Sequence, residues 1–184
     1  MADRPPVLCA ALVGAILTAL AAPAAAEIPC DGAPPLDSLN GAYEISIGNA
    51  LISDGTRIVP LRAQSTVPAT LEAQGDLLMM ESGASVVVLE YADAEDEVLN
   101  FQELRGILNI NVSDFPALFG CGLESLPALK GGGLSESMEG TPIEFDYELV
   151  IRDIRSDGRA EMFGVLRWGG GGIMSARAVT ISPR

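Results

Sequence analysis

The stretch Ile143-Glu144-Phe145-Asp146-Tyr147-Glu148-Leu149-Val150-Ile151 constrains this chain more than any other. Apolar residues occupy every odd position, and Glu144, Asp146 and Glu148 fall between them. A period of two puts the apolar set on one face of a strand and the carboxylates on the other. On a helix the same residues would scatter around the axis. The strand therefore belongs to a sheet with a core on one side and water on the other, as antiparallel sheets commonly have.

Other segments agree. Tyr43-Glu44-Ile45-Ser46-Ile47 alternates in the same way, and strands are read over 57–62, 67–73, 77–81, 85–91, 98–102, 107–112, 160–168 and 173–181. Turn signals separate them at Ser53-Asp54-Gly55, Gln74-Gly75-Asp76, Ser82-Gly83 and Ser156-Asp157-Gly158. Turns at this spacing predict an all-β fold, an antiparallel barrel or sandwich of about 8–10 strands. Val86-Val87-Val88-Leu89 lacks alternation, so that strand is expected to be covered on both faces. One short helix is expected near 114–119, capped by Ser113 or Asp114, with Pro116 in its first turn and Gly120 at its end. Gly131-Gly132-Gly133 reads as a linker. The glycine run 169–172 reads as a hairpin connection, because no Lys-Ser or Lys-Thr follows to make it a phosphate loop.

The first 26 residues have the form of a secretory signal peptide. Arg4 sits in a short polar start, residues 7–22 are almost wholly apolar, and Ala24-Ala25-Ala26 supplies a small-residue cleavage site before Glu27. A retained anchor is the alternative, but the apolar run is shorter than the roughly 20 residues a spanning helix needs. Cys9 lies inside that run, where a lipid-modified cysteine is not placed. The expected organisation is a signal peptide over 1–26, a Pro-rich arm over 27–38 with Pro29, Pro34 and Pro35, and one β-barrel domain over 39–184. The expected location is the bacterial periplasm or the cell exterior, with no stable membrane insertion after cleavage.

Two cysteines follow the leader, Cys30 and Cys121. In an oxidising compartment the pair reads as a disulfide, with two free thiols as the alternative. The enclosed loop of about 90 residues makes the bond worth on the order of 4 kcal/mol in the loop-entropy account. No CxxC is present, so neither a redox motif nor a zinc knuckle is available. The chain has 25 acidic and 11 basic residues and a net charge of −14, which the loss of Asp3 and Arg4 leaves unchanged. Such a surface repels nucleic acid and anionic membranes, which bind proteins by exchanging counterions for cationic side chains.

The absence of histidine removes histidine-based triads, acid–base roles and metal ligands together. The acidic run Asp93-Ala94-Glu95-Asp96-Glu97 has neither the spacing nor the glycine of an EF-hand loop and reads as a solvated connection. Glu144, Asp146 and Glu148 stand roughly 7 Å apart along one strand face, a separation glycosidases use, but catalytic carboxylates normally come from different elements. Asn111-Val112-Ser113 matches a glycosylation pattern that is idle in a bacterial protein. No catalytic residue, metal or cofactor is expected.

Leu39-Asn40-Gly41-Ala42-Tyr43 resembles the opening of lipocalin-like barrels, which carry Gly-x-Trp at the start of their first strand; here Tyr43 takes the tryptophan's place. The resemblance implies an aromatic closing the barrel floor, an arginine from a late strand (Arg167 or Arg177) packed over it, and a cavity for a small apolar ligand. The candidates for an inward wall are Tyr43, Ile45, Ile47, Val86, Val88, Phe145, Tyr147, Leu149 and Trp168, with Tyr43, Phe145, Tyr147 and Trp168 as ligand-binding residues. Each also serves as ordinary core. The expected function is a noncatalytic exported barrel that binds a small apolar ligand. The alternatives are an envelope assembly protein acting through its surface or an edge strand, and a carboxylate-based hydrolase. With aromatics at 5 % of residues and one tryptophan, carbohydrate stacking is disfavoured.

Overall fold

The structure is a computed structural model that describes residues 30, 32–62, 64–93, 99, 107, 112–136, 140 and 142–184. The expected leader, Cys9, residues 94–97 of the acidic run, Asn111, and most of the strands expected at 98–102 and 107–112 lie outside the described residues. Nine strands are described: β1 (Gly41–Ser53), β2 (Ile58–Leu61), β3 (Ser65–Gln74), β4 (Leu77–Ser82), β5 (Ser85–Tyr91), β6 (Ala128–Glu136), β7 (Pro142–Ile154), β8 (Ala160–Gly170) and β9 (Ile173–Pro183). Every pairing is antiparallel between chain neighbours, except that β1 also pairs with β3 and with β9. The β1–β9 pairing closes β1 and β3–β9 into an eight-stranded barrel and leaves β2 as an extra strand on the upper half of β1. Closure removes the free edges that an open sheet exposes.

The expected all-β class, the strand alternation and a short helix at the expected place are therefore present among the described residues. The helix, α1 (Phe115–Phe119), has Pro in its first turn and ends on Gly120 in the left-handed conformation at φ 76°.

Two apolar clusters hold the barrel. The first fills the lumen, where Tyr43, Ile45, Leu71, Leu78, Met80, Leu89, Leu129, Leu149 and Ile151 are at most 1 % exposed. A 3-10 turn (Leu36–Leu39) closes one end, the floor, by packing Leu36 and Leu39 against this cluster. The Tyr91 hydroxyl donates to the Pro34 carbonyl at 2.6 Å and pins the turn in place. The second cluster lies outside the wall. There Phe115 and Phe119 of α1 meet Phe163 of β8 at ring separations of 5.9 and 5.8 Å, with Leu99, Ile107, Leu126, Val150 and Val165 around them. Val150, the one apolar residue that breaks the alternation of β7, is 1 % exposed in this outer cluster. Cys30 and Cys121 are bonded with their Cα atoms 6.0 Å apart, tying the arm that plugs the floor to the end of α1.

Four sequence expectations are corrected. Gly131-Gly132-Gly133 is the centre of β6 rather than a linker. A Cβ on Gly131 would lie 1.9 Å from the Val88 carbonyl oxygen, so the curved wall needs glycine there. Val86 and Val88 face outward, at 43 % and 38 % exposure, while Val87 and Leu89 face the lumen. An unbroken apolar run carries no phase, and the pairing of Leu89 with Leu78 sets it instead. The same exposure shows that β5 is not covered on both faces; the connection after β5 packs over β7 and β8. Finally, Leu99 and Ile107 are buried in the outer cluster but lie in no strand, and Val112 opens a 3-10 turn.

A candidate binding site at the barrel mouth

Residues paired directly across an antiparallel sheet share a face, so the register maps the inner wall at the end away from the plug. One row runs Phe145, Trp168, Ser175, Ile52, Val59 across β7, β8, β9, β1 and β2. The row beneath it runs Tyr147, Leu166, Arg177, Ala50, Leu61 across the same strands. Phe145, Tyr147, Leu166 and Trp168 pack on the lumen cluster, which fixes both rows as inward. The floor is filled by side chains, but this wall is only partly covered: Trp168, Leu166 and Ile52 are half-buried, and Val59 and Leu61 are 56 % and 39 % exposed. It stands taller than the opposite side because β2 extends β1 above the point where β3 stops pairing, at Ile47 with Ser65.

Of the expected ligand-wall residues, the fold brings Phe145, Tyr147 and Trp168 together. Phe145 and Tyr147 meet edge to face at 6.5 Å. Tyr43 sits apart from them, fully buried and paired with Ala69 and Pro183 next to the plug. Burial pushes the Tyr147 and Tyr91 hydroxyls up to about 12, so both are neutral donors at physiological pH.

The arginine expected over the first-strand aromatic comes from elsewhere. Arg167 points outward and pairs with Glu148, whose carboxylate also accepts the Leu99 N–H at 3.0 Å. Arg177 is in the mouth. The arginine near Tyr43 is Arg159 in the β7–β8 turn, held by Asp157 at 2.7 Å and donating to the Arg184 carbonyl at 2.9 Å. Arg159 also lies against Gly41, whose φ of 142° suits glycine, with its Cδ 3.2 Å from where a Cβ would stand. That turn position carries no alternation signal, so the sequence pattern did not single it out.

The charge of the lumen contrasts with that of the chain. Among the described residues on inward strand positions, Arg177 carries the one charge, and no carboxylate joins it. Arg177 is half-buried and forms no ion pair with a described residue; Arg57, Arg62 and Arg155 also lack one but are exposed, whereas the other half-buried arginines, Arg152, Arg159 and Arg167, each have one. Two residues along β9 on the same face, Ser175 is 2 % exposed and its Oγ has no hydrogen-bond partner. Sequence reading passed over Ser175; a serine in the apolar phase of β9 was the available signal.

The strand carboxylates sit on the wet side. Glu144 and Asp146 are exposed, and Glu148 is taken up by Arg167 and the Leu99 amide. Among the described residues no group of three or more potential metal ligands converges, and no helix is long and apolar enough to cross a membrane. Two open surface grooves, of about 340 and 450 Å³, flank the bulge of β1 and the plug respectively, outside the lumen. Neither a protein-family model nor a curated protein sequence matches the chain.

Proposed function

We propose that this chain is a noncatalytic exported barrel of the bacterial periplasm or cell exterior that holds a small apolar molecule in its mouth. The observation that carries the reading is the division of the lumen into a packed floor and a partly exposed apolar wall built on Trp168, Leu166, Ile52 and Val59. Pockets for small molecules are concave, mostly apolar and furnished with a few polar groups, and the mouths of β-barrels are a common place for them. Export is supported by the apolar segment 7–22 with its Ala24-Ala25-Ala26 site, and by the disulfide, which suits an oxidising compartment. The net charge of −14 sets the outer surface against nucleic acid and anionic membrane surfaces as partners.

Native mass spectrometry of protein purified without detergent tests the reading. A co-purified small molecule is the expected result. A bare mass, together with a crystal structure whose mouth is closed by side chains, would overturn it. A second reading, docking to an envelope protein, draws on the outer apolar residues Val86, Val88 and Leu134, the last 71 % exposed. Substituting Val88 with aspartate would abolish such docking and leave a ligand in the mouth untouched.

A further inference from the structure

We infer that the molecule held in the mouth is amphipathic and anionic, an aliphatic carboxylate whose charged end is bound by Arg177 and Ser175; this rests on the carrier reading. Three observations converge on it. Arg177 is the one charge on the described inward positions and has no ionic partner among the described residues, in a chain with 25 acidic residues. A guanidinium offers five donors and no acceptor, so a half-buried one needs an acceptor. Ser175 is 98 % buried by its 2 % exposure, and its Oγ is unpartnered, so it too has a donor to give.

Both side chains leave the same face of β9, two residues or roughly 7 Å apart, a span that one carboxylate bridges by accepting from each. The rest of the two rows is apolar: Trp168 and Ile52 flank Ser175, and Leu166 and Ala50 flank Arg177. A cationic ligand would find no carboxylate on these walls. A neutral hydrocarbon would cover Arg177 and leave it unpaired, which costs more than it gains. An anion with an apolar tail satisfies both donors and covers the exposed wall.

Calorimetric titration of the disulfide-intact protein with decanoate and with decanol, followed in parallel by the emission of Trp168, tests the inference. The two probes share a tail and differ in the head. Decanoate is expected to bind at least about tenfold tighter than decanol, the scale of one charge-assisted hydrogen-bonded pair. Arg177→Gln is expected to collapse that preference to within about twofold, and Ser175→Ala to reduce it by severalfold, each checked for native circular dichroism. Ser175→Ala is the smaller change and serves alone should Arg177→Gln fail to fold. Equal binding of the two probes, or a preference that survives both substitutions, would overturn the anionic site and leave the carrier reading in place. Binding of neither probe would overturn both.

Discussion

Replacing Tyr43 by phenylalanine should make the protein more stable. Tyr43 is fully buried next to the plug, and its hydroxyl has no hydrogen-bond partner. Burial raises its pKa above the ordinary phenol value, outweighing the lowering influence of the Ala160 backbone N–H, which lies near the hydroxyl but outside hydrogen-bond geometry, and of Arg159 and Arg155. An unpartnered buried hydroxyl costs about 1–3 kcal/mol. Removing one oxygen leaves a small void worth a few tenths of a kcal/mol at about 24 cal/mol per Å³. The net expectation is a gain of about 1 kcal/mol, or a rise in Tm of about 2–4 °C for a domain of this size. Urea unfolding of the oxidised protein, followed by far-ultraviolet circular dichroism, measures it as a higher midpoint at an unchanged slope. No change, or a loss of stability, would mean that the hydroxyl is satisfied in solution and that the floor is not the dry packing described above.

Reducing the Cys30–Cys121 bond, which spans 91 residues, should cost about 4–5 kcal/mol; the check is the urea midpoint with and without reductant, together with earlier protease cleavage of the arm. Stability should also fall as pH rises from about 10 towards 12. Tyr91 and Tyr147 have folded-state pKa values raised to about 12, so the unfolded chain releases its phenolic protons first and the stabilisation present below pH 10 is lost through that window. The Tyr147→Phe variant should show a shallower alkaline slope in pH-dependent melting. Gly164→Ala should cost about 3 kcal/mol or more, because its Cβ would stand 1.9 Å from the Glu148 carbonyl oxygen and force β7 and β8 apart; thermal melting against wild type reads this directly.

How much of this the sequence carried depends on how strongly each segment was phased. β7 was readable because charged and apolar residues alternate from Ile143 to Leu149, and β1 because Tyr43, Ile45 and Ile47 alternate with polar residues. α1 was readable from Pro116 and Gly120, local signals that act within one turn. β6 was missed because its centre is three glycines, which carry no hydrophobic phase and are present because neighbouring backbone leaves no room for a Cβ. The inward face of β5 was misassigned because four consecutive apolar residues fit either phase. Closure of β1 on β9 was likewise beyond local pattern, since those strands lie at opposite ends of the chain. For the site, Phe145, Tyr147 and Trp168 stood out as large inward aromatics. Arg177 was named only for a role that Arg159 stands closer to filling, and Ser175 was not named at all. Their significance comes from what is missing around them, and only the assembled wall reveals that.

The most direct measurement is backbone and indole amide chemical-shift mapping of the isotopically labelled, disulfide-intact chain titrated with decanoate. Binding at the mouth predicts shifts concentrated at Phe145, Trp168, Ser175, Arg177 and Ile52, with the buried floor around Tyr43 and Leu71 unmoved. Shifts confined to the outer face around Val86, Val88 and Leu134, or no shifts at all, would contradict it.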